Sequence, residues 1–171
     1  MKFDLYIYMT KRKPKRGYFK PKNPQKYTGN SSNIVYRSGW ELLVMKYLDE
    51  NTNVVRWSSD GLGMDNMPTE DSGLAVPYIS PVDKKIHRYF PDFVAEVRTT
   101  NGEIKTFVLE VKPKSQTVEP RKKTRKTKQY ISEVITWGIN KEKWKSAEEF
   151  CKKRGWEFRL ITEDQLGLRN K

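Results

Sequence analysis

Two strand-like segments joined by a tight turn are the feature that most constrains how this chain can fold. Residues 87–99 and 106–112 are rich in β-branched and aromatic side chains, which favour strands. The connection between them contains Asn101-Gly102, a strong signal for a β-hairpin. We therefore expect an antiparallel strand pair within a sheet of at least three strands.

The length of the hairpin turn decides which side chains of the two strands face each other. A two-residue loop would set Asp92 beside Val111 and separate the carboxylates of this strand pair. A three-residue loop, with Gly102 left-handed in a G1 bulge, would set Asp92 opposite Glu110. We predict the second register, or a bulge further along the strands with the same effect.

In that register Asp92 and Glu110 are suited to hold one divalent ion. Directly opposed strand residues have Cβ atoms roughly 4.5 to 5.5 Å apart. Two carboxylates at that distance raise each other's pKa unless a cation lies between them. Mg²⁺ prefers oxygen ligands, so we expect it to bind Asp92, Glu110, the Val111 carbonyl and waters. Such an ion activates water and neutralises charge on phosphorus oxygens.

Lys112 and Glu41 are further candidates for this site. Side chains alternate along a strand, so Lys112 shares a face with Glu110 and could orient the attacking water or stabilise the transition state. Each residue also has an ordinary alternative. Asp92 could end a turn, Glu110 and Lys112 could form a simple ion pair, and Glu41 could complete a capping box with Ser38. Taken together, the set favours a metal site.

The other elements complete an α/β domain. The capping box and helical spacing predict a helix over residues 38–50, followed by strands at 54–58 and 76–79 and a polar loop at 60–73. After the hairpin we expect a helix-like stretch at 123–134, a second helix from Asn140 to residue 154, a strand at 156–161 and a final turn at 162–166. We predict a basic extended arm over residues 1–33 and a single domain over 34–171.

Charge and composition narrow the classes of function. The net charge is +13, and it is concentrated in residues 1–37 and 112–128, which favours a polyanionic partner. No apolar run is long enough to span a membrane. The single cysteine, Cys151, and single histidine, His87, exclude thiolate zinc clusters and sites with two imidazoles. The residues predicted to contact nucleic acid are Lys11, Arg12, Lys13, Lys15, Arg16, Arg37, Arg88, Lys114, Arg121, Lys122, Lys123, Arg125, Lys126 and Lys128. Tyr18, Phe19 and Tyr27 lie among the N-terminal cations and could stack on bases.

The order Glu41, Pro91-Asp92, Glu110-Val111-Lys112 resembles the PD-(D/E)xK nuclease superfamily. Most of residues 24–166 is similar to one group within it, the head completion nucleases of T4-like bacteriophages, which are related to the endonuclease subunit of Tn7-type transposases. The segments that carry this resemblance are YRSGWE (36–41), LDEN (48–51), RYFPDF (88–93), LEVKPKSQT (109–117), NKEKWKSA (140–147) and RGWEFRLITEDQL (154–166).

The resemblance implies a PD-(D/E)xK-like αβββαβ core, with a mixed central sheet flanked by helices. It implies Mg²⁺-dependent DNA cleavage, with Mn²⁺ as a substitute, and Glu41, Asp92, Glu110 and Lys112 as the active-site set. It also implies a role in completing the DNA-filled phage head, with DNA and portal or neck proteins as partners, in the virion and the infected host's cytoplasm. The alternative is a structural head-completion protein that binds DNA or portal without catalysis. The N-terminal extension and the loop at 60–73 are longer than the family pattern.

Overall fold

A computed structural model of the chain describes residues 16–59 and 74–166. The helices are α1 (Gly39–Glu50) and α2 (Lys128–Lys152), and short 3-10 turns occur at Pro24–Lys26 and Lys114–Gln116. The strands in chain order are β1 (Gly17–Phe19), β2 (Ile34–Tyr36), β3 (Val54–Ser59), β4 (Val76–Ile79), β5 (Ile86–Tyr89), β6 (Phe93–Arg98), β7 (Ile104–Val111) and β8 (Glu157–Ile161). The predicted loop at 60–73 lies outside the described residues.

The centre of the molecule is a four-stranded mixed sheet. Its strand order is β3-β6-β7-β8, antiparallel except for the parallel pair of β7 and β8. Alternate side chains of the sheet enter two cores. Phe93 and Leu109 belong to the core that contains α1, whereas Val94 and Val108 belong to the core that contains α2. Helices therefore flank both faces, and the predicted αβββαβ order is confirmed, with the β4–β5 hairpin inserted between β3 and β6.

The hairpin between β6 and β7 has the predicted register. Phe93 pairs with Leu109 and Arg98 with Ile104. In the turn, the N–H of Thr99 donates to the carbonyl of Glu103 at 2.8 Å, and Gly102 has a φ of +86°. This is the three-residue turn with a left-handed glycine. One residue before β6, the same register brings Asp92 opposite Glu110.

The predicted strand over residues 87–99 is wrong as a single element, because it is divided into β5 and β6. Pro91 lies at the break and has no N–H to donate to a ladder. β5 turns back to pair with β4 in a separate two-stranded sheet. Residues 76–79 are therefore a strand, as predicted, but they do not rejoin the central sheet.

The two helices predicted between residues 123 and 154 are one helix, α2. Thr127 caps it by accepting from the N–H of Tyr130 at 3.2 Å. Asn140, predicted to cap a second helix, is buried within it. The segment contains no proline, and Gly138 costs a helix only about 1 kcal/mol relative to alanine. No helix among the described residues is long and apolar enough to cross a membrane.

The prediction of an unpacked arm up to residue 33 is wrong for its described part, residues 16–33. β1 pairs with β2, and Phe19 and Tyr27 are buried against Trp57 with ring centroids 6.0 and 4.8 Å apart. The buried carboxylate of Asp49 accepts from the N–H of Lys22 at 2.7 Å. Aromatic side chains that sequence analysis assigned to base stacking thus contribute to the core, and the folded part begins before residue 34.

Candidate active site

Asp92 and Glu110 lie side by side at one end of the β6–β7 pair. Oδ2 of Asp92 accepts a 2.7 Å hydrogen bond from the N–H of Val111. Oε1 of Glu110, a residue that is 4% exposed, lies 2.7 Å from Nζ of Lys112. Both carboxylates act electrostatically on that ammonium. The structure therefore brings together three of the four residues predicted to be catalytic, on one side of the sheet.

The charges in this cluster do not balance. The pKa of Asp92 is raised to about 7, first by burial and then by the neighbouring Glu110, while Lys112 and the Val111 N–H oppose the rise. Burial lowers the pKa of Lys112, but the surrounding carboxylates outweigh it and the net shift is upward. Two carboxylates thus share one ammonium. Such an oxygen-donor set fits a hard divalent cation, which would relieve the repulsion between them.

Glu41 lies close to this cluster, at the first turn of α1. Ser38 Oγ accepts from the N–H of Glu41 at 3.1 Å, and Glu41 Oε2 accepts from the N–H of Arg37 at 2.7 Å. Ser38 therefore caps α1 as predicted, whereas Glu41 bonds the N–H of Arg37, one residue before the cap, instead of the N–H of Ser38 that a complete capping box requires. Glu41 also raises the pKa of Asp92, so its charge reaches the cluster. Within residues 16–59 and 74–166, however, no three His, Cys, Asp or Glu side chains are grouped to hold a metal ion.

Tyr89 is a site residue that sequence analysis missed. Its hydroxyl donates a 2.7 Å hydrogen bond to Oε2 of Glu110. Burial, followed by the charge of Glu110, raises the pKa of this hydroxyl far above its ordinary value, so it remains a donor. Lys143 of α2 lies 5.7 Å from the centroid of the Tyr89 ring. Tyr89 thereby connects the core around α2 with the acidic pair. The only feature of the sequence that could have indicated this role is its position three residues before Asp92.

The sequence resemblance implies metal-dependent DNA cleavage at this cluster, and on that expectation Tyr89→Phe should lower cleavage about 10- to 100-fold, the usual effect of losing a hydrogen bond that orients a metal-ligating group. The phenylalanine ring fills the same buried space, so the melting temperature should fall by only a few degrees. The measurement is the cleavage rate against Mg²⁺ concentration. Tyr78→Phe in the paired strand β4 is the control. Equal rates for wild type and Tyr89→Phe would assign the hydroxyl a purely structural role.

The raised pKa of Asp92 predicts how stability depends on pH in the absence of metal. The folded protein holds this proton more tightly than the unfolded chain, where the ordinary pKa is 3.8. The stabilising contribution is therefore complete below pH 3.8 and is lost as the pH rises through about 7. Between these limits the free energy of unfolding should fall by an amount on the order of a few kcal/mol.

Urea unfolding in EDTA at several pH values between 4.5 and 8 measures this effect, with Asp92→Asn as the matched variant. The difference between variant and wild type should grow as the pH rises, in favour of the variant. Addition of Mg²⁺ at pH 8 should stabilise wild type selectively, because a ligand that binds only the folded state stabilises it. If the free energy of unfolding changed with pH in the same way for both proteins, the raised pKa of Asp92 would be contradicted.

The residues predicted to contact nucleic acid occupy different positions. Lys11, Arg12, Lys13 and Lys15 lie outside the described residues, and Arg16 is exposed. Arg37 lines a cleft of about 300 Å³ with Phe90, Pro91 and Asp92, so it borders the acidic pair. The Arg88 guanidinium lies 5.7 Å from the centroid of the Phe90 ring, on the same border.

The remaining predicted contacts follow the acidic pair in the chain. Lys114 forms a 2.7 Å ion pair with Asp164, and Lys123 forms a 3.5 Å pair with Glu133. The other cations of this run are exposed: Arg121, Lys122, Arg125, Lys126 and Lys128. The structure therefore places a basic surface between the end of β7 and the start of α2. Within this surface, Lys114 is ion-paired with Asp164.

Comparisons with known proteins identify the family to which the chain belongs. A family model described as TnsA-like endonuclease N terminal matches residues 51–163, which include Asp92, Glu110 and Lys112, whereas Glu41 precedes the match. The head completion nuclease of Enterobacteria phage T4 is 34% identical over 154 residues, which are 88% of this chain and 92% of that protein. No solved structure matches the chain.

These matches confirm the resemblance found in the sequence. The TnsA-like endonuclease domain has a PD-(D/E)xK-like fold, in agreement with the mixed sheet and the two flanking helices. The chain belongs to the TnsA-like endonuclease family and is similar over most of its length to a phage head completion nuclease.

Proposed function

We propose that the protein is a metal-dependent endonuclease that hydrolyses phosphodiester bonds of DNA. The observation that carries the proposal is the convergence of the half-buried carboxylate of Asp92 and the buried carboxylate of Glu110 on the ammonium of Lys112. A structural protein has no physical need to hold these two carboxylates together, because their negative charges repel each other. A metal-dependent nuclease does need such a pair, since the pair binds the cation that assists phosphodiester hydrolysis.

The cofactor in this proposal is Mg²⁺, with Mn²⁺ able to replace it. Asp92 and Glu110 would hold the ion, together with the Val111 carbonyl. When bound, the ion supplies Lewis acidity toward a phosphate oxygen and lowers the pKa of water. The N–H of Val111 fixes Asp92, and the Tyr89 hydroxyl fixes Glu110. The Lys112 ammonium holds its proton and stabilises negative charge as it develops on the phosphate.

We place this activity in completion of the phage head after DNA packaging, in the virion and in the cytoplasm of the infected host. Support comes from the similar protein of phage T4, which is named head completion nuclease. The basic residues of the N-terminal arm and of the run before α2 would bind DNA through phosphates. Portal or neck proteins are the proposed protein partners.

The test is incubation of purified full-length protein with linear, circular and branched DNA, with Mg²⁺ or with EDTA. Cleavage of closed circular DNA in Mg²⁺ and its loss in EDTA are the expected results. Binding of DNA without cleavage of any form would overturn the proposal and favour the structural alternative. Cleavage that persists in EDTA would show that the activity does not depend on a metal ion, and would contradict that part of the proposal.

Glu41→Gln separates the structural role of Glu41 from a catalytic one. A glutamine side chain can still accept the hydrogen bond from the N–H of Arg37, so the start of α1 and the melting temperature should be preserved. If Glu41 holds the cation through a bound water, the loss of its charge should raise the Mg²⁺ concentration required for half-maximal cleavage about tenfold or more. An unchanged requirement would confine Glu41 to capping α1.

A further inference from the structure

A second cleft lies between the segment that follows β7 and the first half of α2. Its volume is about 600 Å³, which is within the usual range for ligand sites. One wall is the 3-10 turn and the residues after it, and the other wall is one face of α2. The lining residues that matter here are Gln116, Val118, Gln129, Ser132 and Trp137.

This cleft continues from the proposed catalytic groups. A neighbouring groove of about 450 Å³ contains Glu41 and Lys112, and Gln116 lines both it and the second cleft. A polymer bound at the acidic pair could therefore extend past Gln116 toward α2. The inference rests on the proposed function, because that function is what places a DNA strand at Lys112.

The lining of the second cleft combines two kinds of chemistry. Trp137 and Val118 offer apolar surface, whereas Gln129 and Ser132 offer hydrogen-bonding groups. An indole ring can stack on any base, and amide and hydroxyl groups can pair with base edges. Both kinds of contact require bases that are unpaired and accessible.

The rim of the second cleft is basic. Lys123 lies 3.5 Å from the lining residue Glu133, which places its ammonium at the edge of the cleft. Residues 121–128 contain six lysines and arginines and no acid. Lys141 adds a cation 5.1 Å from the centroid of the Trp137 ring. This charge favours a polyanion over an apolar protein segment as the occupant.

We propose that this cleft binds a single DNA strand that leads away from the catalytic groups. A duplex hides its base faces inside the stack, so it cannot use Trp137 in this way. A strand displaced at a branch, a flap or an end exposes them. The preferred substrate class that follows is DNA with a single-stranded segment next to the bond to be cut, ahead of fully paired duplex.

The experiment uses full-length Asp92→Asn protein without metal, so that binding is measured without cleavage. Fluorescence anisotropy compares a labelled 12-nucleotide single strand with a duplex of the same length at one salt concentration. In this background, Trp137→Leu should weaken single-strand binding about tenfold or more, the usual effect of losing one base-stacking ring. Binding of the duplex should change less than threefold.

Four further variants separate stacking from folding and from charge. Trp137→Phe retains a ring and should bind the single strand within about threefold of the parent protein. Ile104→Ala removes an apolar side chain that is 53% exposed elsewhere, at the start of β7, and should leave binding unchanged. A double change of Lys122 and Lys126 to Ala should weaken binding of both DNA forms, and more than the same change at Lys152 and Lys153 at the far end of α2.

The outcomes distinguish this inference from the proposed function. Equal losses of single-strand and duplex binding in Trp137→Leu, or no loss, would overturn the inference. Similar losses in Trp137→Leu and Trp137→Phe with lowered melting temperatures would also overturn it, because packing would then explain the effect. If the wild-type protein cleaves DNA but Trp137→Leu binds single strands normally, the cleft proposal alone fails. If the variants behave as expected but no DNA form is cleaved, the proposed function alone fails.

Discussion

Replacing Asp92 with Asn is expected to reduce DNA cleavage about 10³-fold or more while leaving the fold intact. A metal ion contributes several kcal/mol to phosphodiester hydrolysis, and each 1.4 kcal/mol changes the rate about tenfold. The variant removes one of the two carboxylates that would hold that ion. An amide oxygen can still accept the 2.7 Å hydrogen bond from the N–H of Val111, so the local backbone keeps its partner.

Single-turnover cleavage of plasmid DNA is the appropriate measurement, with thermal melting to confirm folding. Asp83→Asn is the matched control, because it removes a carboxylate that is paired with His87 on the exposed β4–β5 hairpin. That control should cleave at the wild-type rate. Glu110→Gln should behave like Asp92→Asn. Wild-type cleavage by either active-site variant would end the metal assignment and the nuclease mechanism derived from it.

The acidic pair was predictable because it depends on the geometry of one short turn. The loop length fixes the pairing of β6 with β7, and only the three-residue loop sets Asp92 opposite Glu110. Gly102 suits either loop, since a glycine adopts positive φ at no steric cost. Strand alternation then placed Lys112 near Glu110. Local rules of this kind require no knowledge of the rest of the molecule.

Tyr89 and the N-terminal segment were not predictable in the same way. Tyr89 reaches Glu110 only because the chain breaks at Pro91 and folds β5 back onto β4, and no local pattern states where that hairpin packs. Phe19 and Tyr27 lie among lysines and prolines, so their burial depends on contacts with Trp57, which is distant in the sequence. Sequence analysis predicted two helices where α2 is one, because an asparagine before an apolar helical pattern is typical of an N-cap. An asparagine buried within a helix gives the same sequence pattern.

Lys112→Met is the second change with a large expected effect, and it should separate metal binding from catalysis. The ammonium lies 2.7 Å from Oε1 of Glu110, where it neutralises part of the acidic pair. Its removal takes away a group that is placed to stabilise charge on the phosphate, and such groups contribute about 10²- to 10⁴-fold. Cleavage should fall by that amount at saturating Mg²⁺.

Metal binding should respond in the opposite direction. Without Lys112, the two carboxylates lose an ammonium that competes with the metal ion. Ca²⁺ has the same charge as Mg²⁺ and also prefers oxygen ligands. In calorimetry it should bind Lys112→Met at least as tightly as it binds the wild-type protein. Asp92→Asn should bind it weakly or not at all. Lys112→Arg should not restore cleavage, because the planar guanidinium differs in shape and in donor geometry from the compact ammonium.

This combination distinguishes the two roles of Lys112. If Lys112→Met loses metal binding together with cleavage, the lysine serves mainly to assemble the site. If it retains metal binding and loses cleavage, the lysine acts on the phosphate or on the attacking water. Retention of both would leave Asp92 and Glu110 to hold the cation without help from Lys112, and would remove the lysine from the mechanism.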